Sequence, residues 1–394
     1  MMVKSVQDIE VEGRTSLVRV DYNVPLAEGT IVDDTRIRAS LPTLSYLRER
    51  GARVILLSHL GRPKGKVQKE LSLFPVARHL ESLLQEDVLF AERLEEAERA
   101  RQDLSPGQVM LLENLRFYPE EEHNDPSFSR RLASLGEIFI NDAFSVSHRA
   151  HASTVGIVQY GGLPGVAGFS LLEEVKALDR LLHPQRPFVA VVGGAKISDK
   201  LESLQALVER VDGLLLGGAM ANTFLLALGY ELGDSLVEAE ERGHAWDLLQ
   251  RAYAADVKVV LPEDLVVAKD GHIKVIEAQA GVPSGYRALD IGPRTLDAYG
   301  QALAGAATVF WNGPLGLVEK EPFHEGSVGL ARLLAASSAF RVAGGGDSLA
   351  LLRRFHLTHA VDHLSLGGGA SLEYLRGDSL PGIEVLLHGK DGQP

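Results

Sequence analysis

Short apolar runs alternate with amphipathic segments along almost the whole chain. In the first half, 15–20 (TSLVRV), 53–58 (RVILLS), 108–112 (QVMLL) and 137–140 (EIFI) read as strands, and 35–49, 73–84 and 127–135 as helices. The second half repeats the plan, with strands at 188–192, 212–216, 257–261, 307–311 and 340–343 and helices at 198–209, 219–228, 238–254, 325–337 and 347–355. The strands are β-branched and apolar on both faces, as parallel strands must be when helices cover both sides of a sheet. The predicted fold is α/β: two doubly wound, Rossmann-like parallel-sheet lobes. The seam falls near 160–185. YGGLPGVAGFS (160–170) reads as a flexible boundary, or alternatively as a surface loop inside one domain, and LLEEVKALDRLL (171–182) reads as a hinge helix joining the lobes.

A chain of 394 residues is long enough for two such lobes. Cysteine is absent, which rules out disulfides, thiolate metal sites and a cysteine nucleophile. The formal charge of −13 argues against a nucleic-acid binder but leaves room for a local basic pocket. Two uncharged stretches need checking as membrane spans. Residues 213–230 are interrupted by Gly217 and Gly218, and 298–318 by Asn312, Gly313 and Pro314, so each reads as strand, turn and helix. The opening MMVKSVQDIEVEGR has no apolar core for a secretory signal. The expectation is a cytoplasmic protein with no membrane or nucleic-acid partner.

In parallel α/β sheets ligands bind beyond the carboxyl ends of the strands. In the first half those ends carry Asp21 and Asn23, then His59 and Arg62, then Arg116, then His148, Arg149 and His151, with Arg36 at the start of a helix. Four arginines that converge would repel one another, and their planar forks match phosphate or carboxylate, so a bound anion is the natural partner. The spacing of His148 and His151 suits one helix face, but no third metal ligand accompanies them.

In the second half the strand ends carry glycine: GGAKISDKL (193–201), GGAMANTF (217–224), NGPLGLVE (312–319), GGGDS (344–348) and GGGAS (367–371). Glycine lets backbone N–H groups approach a ligand closely, and helix N-termini add partial positive charge, so this is a phosphate-cradling composition. Neither the Walker loop nor the dinucleotide fingerprint occurs. Lys196 and Lys200 share one face if a helix starts between them. Asp347 could cap a helix or offer its carboxylate to nucleotide-bound Mg²⁺, with Ser348 offering a hydroxyl to phosphate. Glu319 could accept hydrogen bonds from a ribose.

Together these stretches resemble phosphoglycerate kinases over essentially the full chain. The resemblance is carried by VRVDYNVPL (18–26), SHLGRPKG (58–65), LLENLRFYPEE (111–121), NDAFSVSHRAHAS (141–153), GGAKISDKL (193–201), WNGPLGLVE (311–319), GGGDS (344–348) and SLGGGASLE (365–373). It implies an N-terminal domain, 1–170 plus 378–394, binding 3-phosphoglycerate or 1,3-bisphosphoglycerate through Asp21, Asn23, Arg36, His59, Arg62, Arg116, His148, Arg149 and His151. It implies a C-terminal domain, 171–377, binding Mg-ADP or Mg-ATP through Lys196, Lys200, Gly217, Gly218, Gly292, Asn312, Pro314, Glu319 and Gly345, Gly346, Asp347 and Ser348. The chain departs from the family pattern at Tyr22, Ser147, Glu263, Leu265, Arg294 and Leu366, none of which removes a charge the chemistry needs.

The reaction implied is Mg²⁺-dependent phosphoryl transfer between an acyl phosphate and ADP. Neither the phosphate nucleophile nor the carboxylate leaving group needs a strong base near pH 7, so catalysis rests on positioning and charge. Arg36, Lys196 and Lys200, with backbone N–H groups near Gly346 and Gly369, are the expected catalytic set, Asp347 the expected metal carboxylate, and hinge closure the expected motion in a monomeric enzyme. A kinase for another carboxylic acid would share the second half but not the first-half set. A non-catalytic nucleotide binder would need that catalytic set broken, and it is intact.

Overall fold

The structure, a computed structural model, describes residues 3–387. It resolves into two compact units: residues up to Lys176 with the stretch from Ser379 onward, and Ala177–Asp378. The division falls inside the helix Phe169–Leu182, so the segment read as a connector is a helix shared by both.

The first unit is built on a six-stranded parallel sheet. Its strands lie in the order Val88–Ala91, Val109–Leu112, Arg53–Leu57, Thr15–Arg19, Ile138–Asn141 and Gly165–Ala167. All four residues of Ile138–Asn141 and of Val109–Leu112 are buried, which is why these runs carry no polar alternation. Helices Thr35–Glu49 and Phe74–Leu84 turn Ile37, Leu44, Leu47, Val76 and Leu80 onto Val18, Val54, Leu56 and Leu111. The winding reverses between Thr15–Arg19 and Ile138–Asn141, so the segments after Arg19 and Asn141 emerge side by side at the carboxyl edge.

The second unit repeats the design in the strand order Lys258–Val260, Gly213–Leu216, Phe188–Val192, Thr308–Asn312, Phe340–Gly344 and His363–Leu364. Its reversal lies between Phe188–Val192 and Thr308–Asn312, and the loops 193–200 and 313–319 leave from there. Trp311 and Tyr299 anchor its core, the Tyr299 hydroxyl donating to Leu216 O at 2.5 Å.

Two features depart from the sequence reading, and a third element completes the first unit. The glycine-rich 160–170 stretch lies inside the first unit, ahead of the division at Lys176. It contains the edge strand Gly165–Ala167, wholly buried, and a β-carbon on Gly165 would stand 2.8 Å from Leu386. A three-stranded antiparallel sheet, Asp264–Lys269, His272–Glu277 and Arg287–Ile291, interrupts the strand–helix alternation of the second unit and encloses a small core around Leu265, Val267 and Ala288. The segment from 378 includes the helix Pro381–Leu387, whose Gly382 donates to Ser147 O (2.8 Å) and accepts from Asn141 Nδ2 (2.9 Å); residues 388–394 lie outside the described residues. No helix among the described residues is long and apolar enough to cross a membrane.

Candidate active site

In the first unit the nine residues singled out from the sequence assemble at one sheet edge. Asp21 lies just beyond the strand Thr15–Arg19. Its Oδ2 accepts from Arg36 Nη1 (2.6 Å) and Ser145 Oγ (2.5 Å), and its Oδ1 from the Asn23 backbone (3.1 Å). Asn23 Oδ1 in turn accepts from Gly61 N (2.9 Å), and Arg116 Nη1 donates to Gly61 O (2.9 Å). The loop carrying Arg62 is therefore clamped at Gly61 from two sides, while Arg62 itself is exposed. Arg149 is also exposed, its Nε donating to His148 Nε2 (3.1 Å). His151 is buried and opens one wide turn, Ala152–Gly156, closed by Gly156 N donating to His151 O (3.1 Å). Single turns of this kind cluster at functional sites.

Burial, with Arg19, Arg116, Arg36 and His151 nearby, holds His59 well below the usual histidine range. Burial and the charges of Arg116, Arg19 and Arg149 bring His151 down to about 3. Both rings are neutral near pH 7, and the arginines set a strongly positive potential. Such a site gains most from an anion of high charge.

Beneath it runs a buried chain that sequence reasoning missed. Glu121 is fully buried, its carboxylate taking Ser153 Oγ (2.5 Å) and Ser153 N (3.0 Å). Arg19 Nε donates to Ser153 Oγ (2.9 Å), and Arg19 Nη2 lies 3.0 Å from His59 Nδ1. Because a guanidinium can only donate, His59 Nδ1 is the acceptor, which leaves the proton on Nε2. A signal was present: an arginine inside the apolar run TSLVRV has to find a buried partner.

In the second unit the glycine loops meet at the reversal point. A β-carbon on Gly193 would stand 2.1 Å from Pro314 O, one on Gly218 (φ +69°) 2.6 Å from Gly194 O, and one on Gly217 2.5 Å from Leu315. Glycine is required here because three loops touch. Lys200 Nζ is pinned among them, donating to Gly193 O (2.7 Å), Asn312 Oδ1 (2.7 Å) and Asn312 O (3.1 Å). Burial draws it down to about 8, with Asp347 and Asp199 acting the other way. The shared helix face expected for Lys196 and Lys200 does not exist. The helix is Leu201–Val208, Lys200 precedes it, and Lys196 lies exposed in the loop.

A cavity of about 520 Å³ opens beside these loops, with Gly194, Pro314, Glu319 and Asp347 on its wall and Leu236, Val237 and Leu317 on its apolar side. Helix Gly346–Arg354 points its first turn toward this region; Gly345 (φ +89°) holds the cap position, so Asp347 is not the helix cap but an exposed carboxylate one residue inside. Ser348 is buried, its Oγ accepting from Gly313 N at 2.9 Å. Gly369 opens the neighbouring helix Gly369–Arg376. Gly292 is buried at the cap of Pro293–Leu303, where a β-carbon would meet the Asp264 carboxylate at 2.3 Å.

One edge is basic and the other lined by glycine, and residues 6–378 match the family model described as phosphoglycerate kinase. The chain belongs to the phosphoglycerate kinase family. It is 52 % identical over 389 residues to the phosphoglycerate kinase of Moorella thermoacetica, covering 97 % of this chain and 98 % of that one. It is 51 % identical over 392 residues to that of Thermus thermophilus, covering 98 % and 100 %. The solved phosphoglycerate kinase structure from Coxiella burnetii superposes with a TM-score of 0.88 at 41 % identity, covering 98 % of this chain and 99 % of that one. The structure from Pyrococcus horikoshii gives 0.87 at 33 %, covering 98 % of each. The reaction of phosphoglycerate kinases is the glycolytic transfer of a phosphoryl group between 1,3-bisphosphoglycerate and ADP. Departures from the family pattern are accommodated locally. The Tyr22 hydroxyl is buried against Ser40 Oγ at 2.9 Å, and Arg294 pairs at the surface with Glu263 and Glu277.

Proposed function

We propose that the basic edge of the first unit holds the phosphoglycerate and that the glycine loops of the second hold the nucleotide. The observation that carries this reading is the pair of opposite solutions to anion binding. One edge concentrates arginine charge around neutral histidines. The other offers close-packed glycine backbone, one buried lysine and a helix N-terminus.

Arg62, Arg116, Arg149 and His151 bind the phosphate end of 3-phosphoglycerate, and His59 donates from Nε2. Arg36, released from or shared with Asp21, stabilises charge on the transferring group. Lys196 reaches that group from the nucleotide side, and the N–H groups at Gly346 and Gly369 complete the cradle. Lys200 fixes the loop geometry while facing the phosphates. No residue has to abstract a proton, because phosphate and carboxylate oxygens are ionised near pH 7.

Magnesium fits as an ion that arrives with the nucleotide. No cluster of three or more metal-ligating side chains occurs among the described residues, and Asp347 is a single exposed carboxylate on the cavity wall. One carboxylate with phosphate oxygens and water is the usual Mg²⁺ environment in such sites. Asp347 would hold it, and it would offset the nucleotide charge. We place the enzyme in the cytoplasm as a monomer without nucleic-acid or membrane partners.

Calorimetric titration tests the division of labour. Residues 1–170 carry all the assigned phosphoglycerate ligands, so Arg149→Ala should weaken 3-phosphoglycerate and leave Mg-ADP binding intact, and Asp347→Ala the reverse. Crossed effects of equal size would contradict it.

A further inference from the structure

We propose that Ser145 is a positioning residue for Arg36: its hydroxyl keeps the Arg36–Asp21 pair one-armed, so that the rest of the guanidinium fork stays free for the transferring group. The proposal rests on the role assigned to Arg36 above. An arginine beside a carboxylate often closes on it with two parallel N–H bonds. Here one bond forms, Arg36 Nη1 to Asp21 Oδ2 at 2.6 Å, and among the described residues Arg36 Nε and Nη2 make no hydrogen bond.

The bonding of Asp21 gives the reason. A carboxylate oxygen offers about two lone-pair sites. Those of Oδ2 are filled by Arg36 Nη1 and by Ser145 Oγ, which donates at 2.5 Å, and Oδ1 accepts from Asn23 N at 3.1 Å. The Asp21 side chain is 12 % exposed, so water competes little for its carboxylate, whereas the Arg36 side chain, 30 % exposed, keeps an open face.

The fold holds the hydroxyl in place. Arg19 and Asn141 pair across neighbouring strands, so the segments carrying Asp21 and Ser145 leave the sheet side by side. Ser145 lies in the single turn Phe144–Val146, whose first and last residues are buried. Asn141 Oδ1 accepts from Ala143 N (3.1 Å), Ser147 Oγ donates to Ala143 O (3.1 Å) and Ser147 N donates to Phe144 O (2.9 Å), which brace the turn from both ends. None of these bonds uses the Ser145 hydroxyl. Its removal leaves the turn standing and frees one site on Oδ2 for a second N–H of Arg36.

The test is single-turnover phosphoryl transfer between Mg-ATP and 3-phosphoglycerate, followed by rapid quench at saturating ligands. Ser145→Ala should slow the transfer ~3–10-fold, the scale of one hydrogen bond to a partly exposed carboxylate. KM for Mg-ATP should not change, and Ser145→Thr, which keeps a hydroxyl, should restore the rate. In an Asp21→Asn background, where no charge holds the fork, Ser145→Ala should slow the transfer no further. Nitrogen-15 NMR of the free enzyme reads the pair without turnover: rotation about the Arg36 Nε–Cζ bond should slow several-fold in Ser145→Ala. An unchanged or faster transfer in Ser145→Ala, an equal loss in the Asp21→Asn background, or unaltered Arg36 rotation overturns the proposal. Arg36→Ala in the same assay separates the two claims. A fall below ~10-fold refutes the role of Arg36 itself, and the proposal with it. A larger fall beside an unaffected Ser145→Ala refutes the proposal alone.

Discussion

Lys200→Met should leave the fold standing while removing tight nucleotide binding. The ammonium makes three bonds in the second unit, but Asn312 O also accepts from Gly193 N at 3.0 Å. Only Gly193 O and Asn312 Oδ1 lose a partner, at about 1–3 kcal/mol each. Against this stands the penalty for burying the charge. Burial lowers Lys200 from 10.5 to about 8, which is on the order of 3 kcal/mol at neutral pH. The two nearly cancel, so net stability changes by less than ~2 kcal/mol. Nucleotide phosphates lose a charge-assisted donor, and Kd for Mg-ADP rises ~10–100-fold. The sign of the pH dependence follows. The folded pKa lies below the unfolded one, so between pH 8 and 10.5 the unfolded chain binds more protons and stability rises with pH. Wild type should gain up to about 3 kcal/mol over the variant across that window. Urea unfolding from pH 7 to 10.5, with calorimetry for Mg-ADP, measures both quantities. A loss above ~4 kcal/mol at pH 7 with unchanged ADP affinity would refute the reasoning, as would a flat difference across the window.

Three other outcomes are expected. Arg36→Ala lowers kcat by ~10²–10³, the loss typical of one electrostatic donor, and a fall below ~10-fold at saturating substrates removes it from that role. Arg149→Ala, at an exposed side chain that donates to His148, raises KM for 3-phosphoglycerate more than it lowers kcat in steady-state assays. Anion binding at the basic edge takes up protons, because His59 and His151 are held neutral by burial and arginine charge until an anion offsets it. Titrating inorganic sulfate near pH 5.5 in buffers of different ionisation enthalpy reads that uptake directly; none at all would contradict the positive-field account.

How much was legible in the sequence depended on burial. Runs such as FVAVV (188–192) are buried on both faces, so composition alone marks them as parallel strands. Gly165–Ala167 is buried too, but its glycine, needed where Leu386 packs, looks like a loop signal. His272–Glu277 carries Ile273, Val275 and Ile276 but is almost wholly exposed, and as an antiparallel strand it falls outside the strand–helix alternation on which the reading rested. At the site, residues that face a ligand were readable because strand ends carry them. Ser145, Glu121 and Ser153 were not, because they act on Asp21 and His59 from below; of that buried chain Arg19 alone left a signal, as an arginine inside an apolar strand. Lys200 was found for the wrong reason. Its role comes from three loops meeting at the strand reversal, not from helical spacing.

ATP consumption with Mg²⁺ and 3-phosphoglycerate, with the acyl phosphate drained by a coupling dehydrogenase, should be fast. Glycerate and acetate should give none, since they lack the phosphate that Arg62, Arg116 and Arg149 are assigned to hold. Equal turnover with glycerate, or none with 3-phosphoglycerate while both ligands bind, would contradict the assignment.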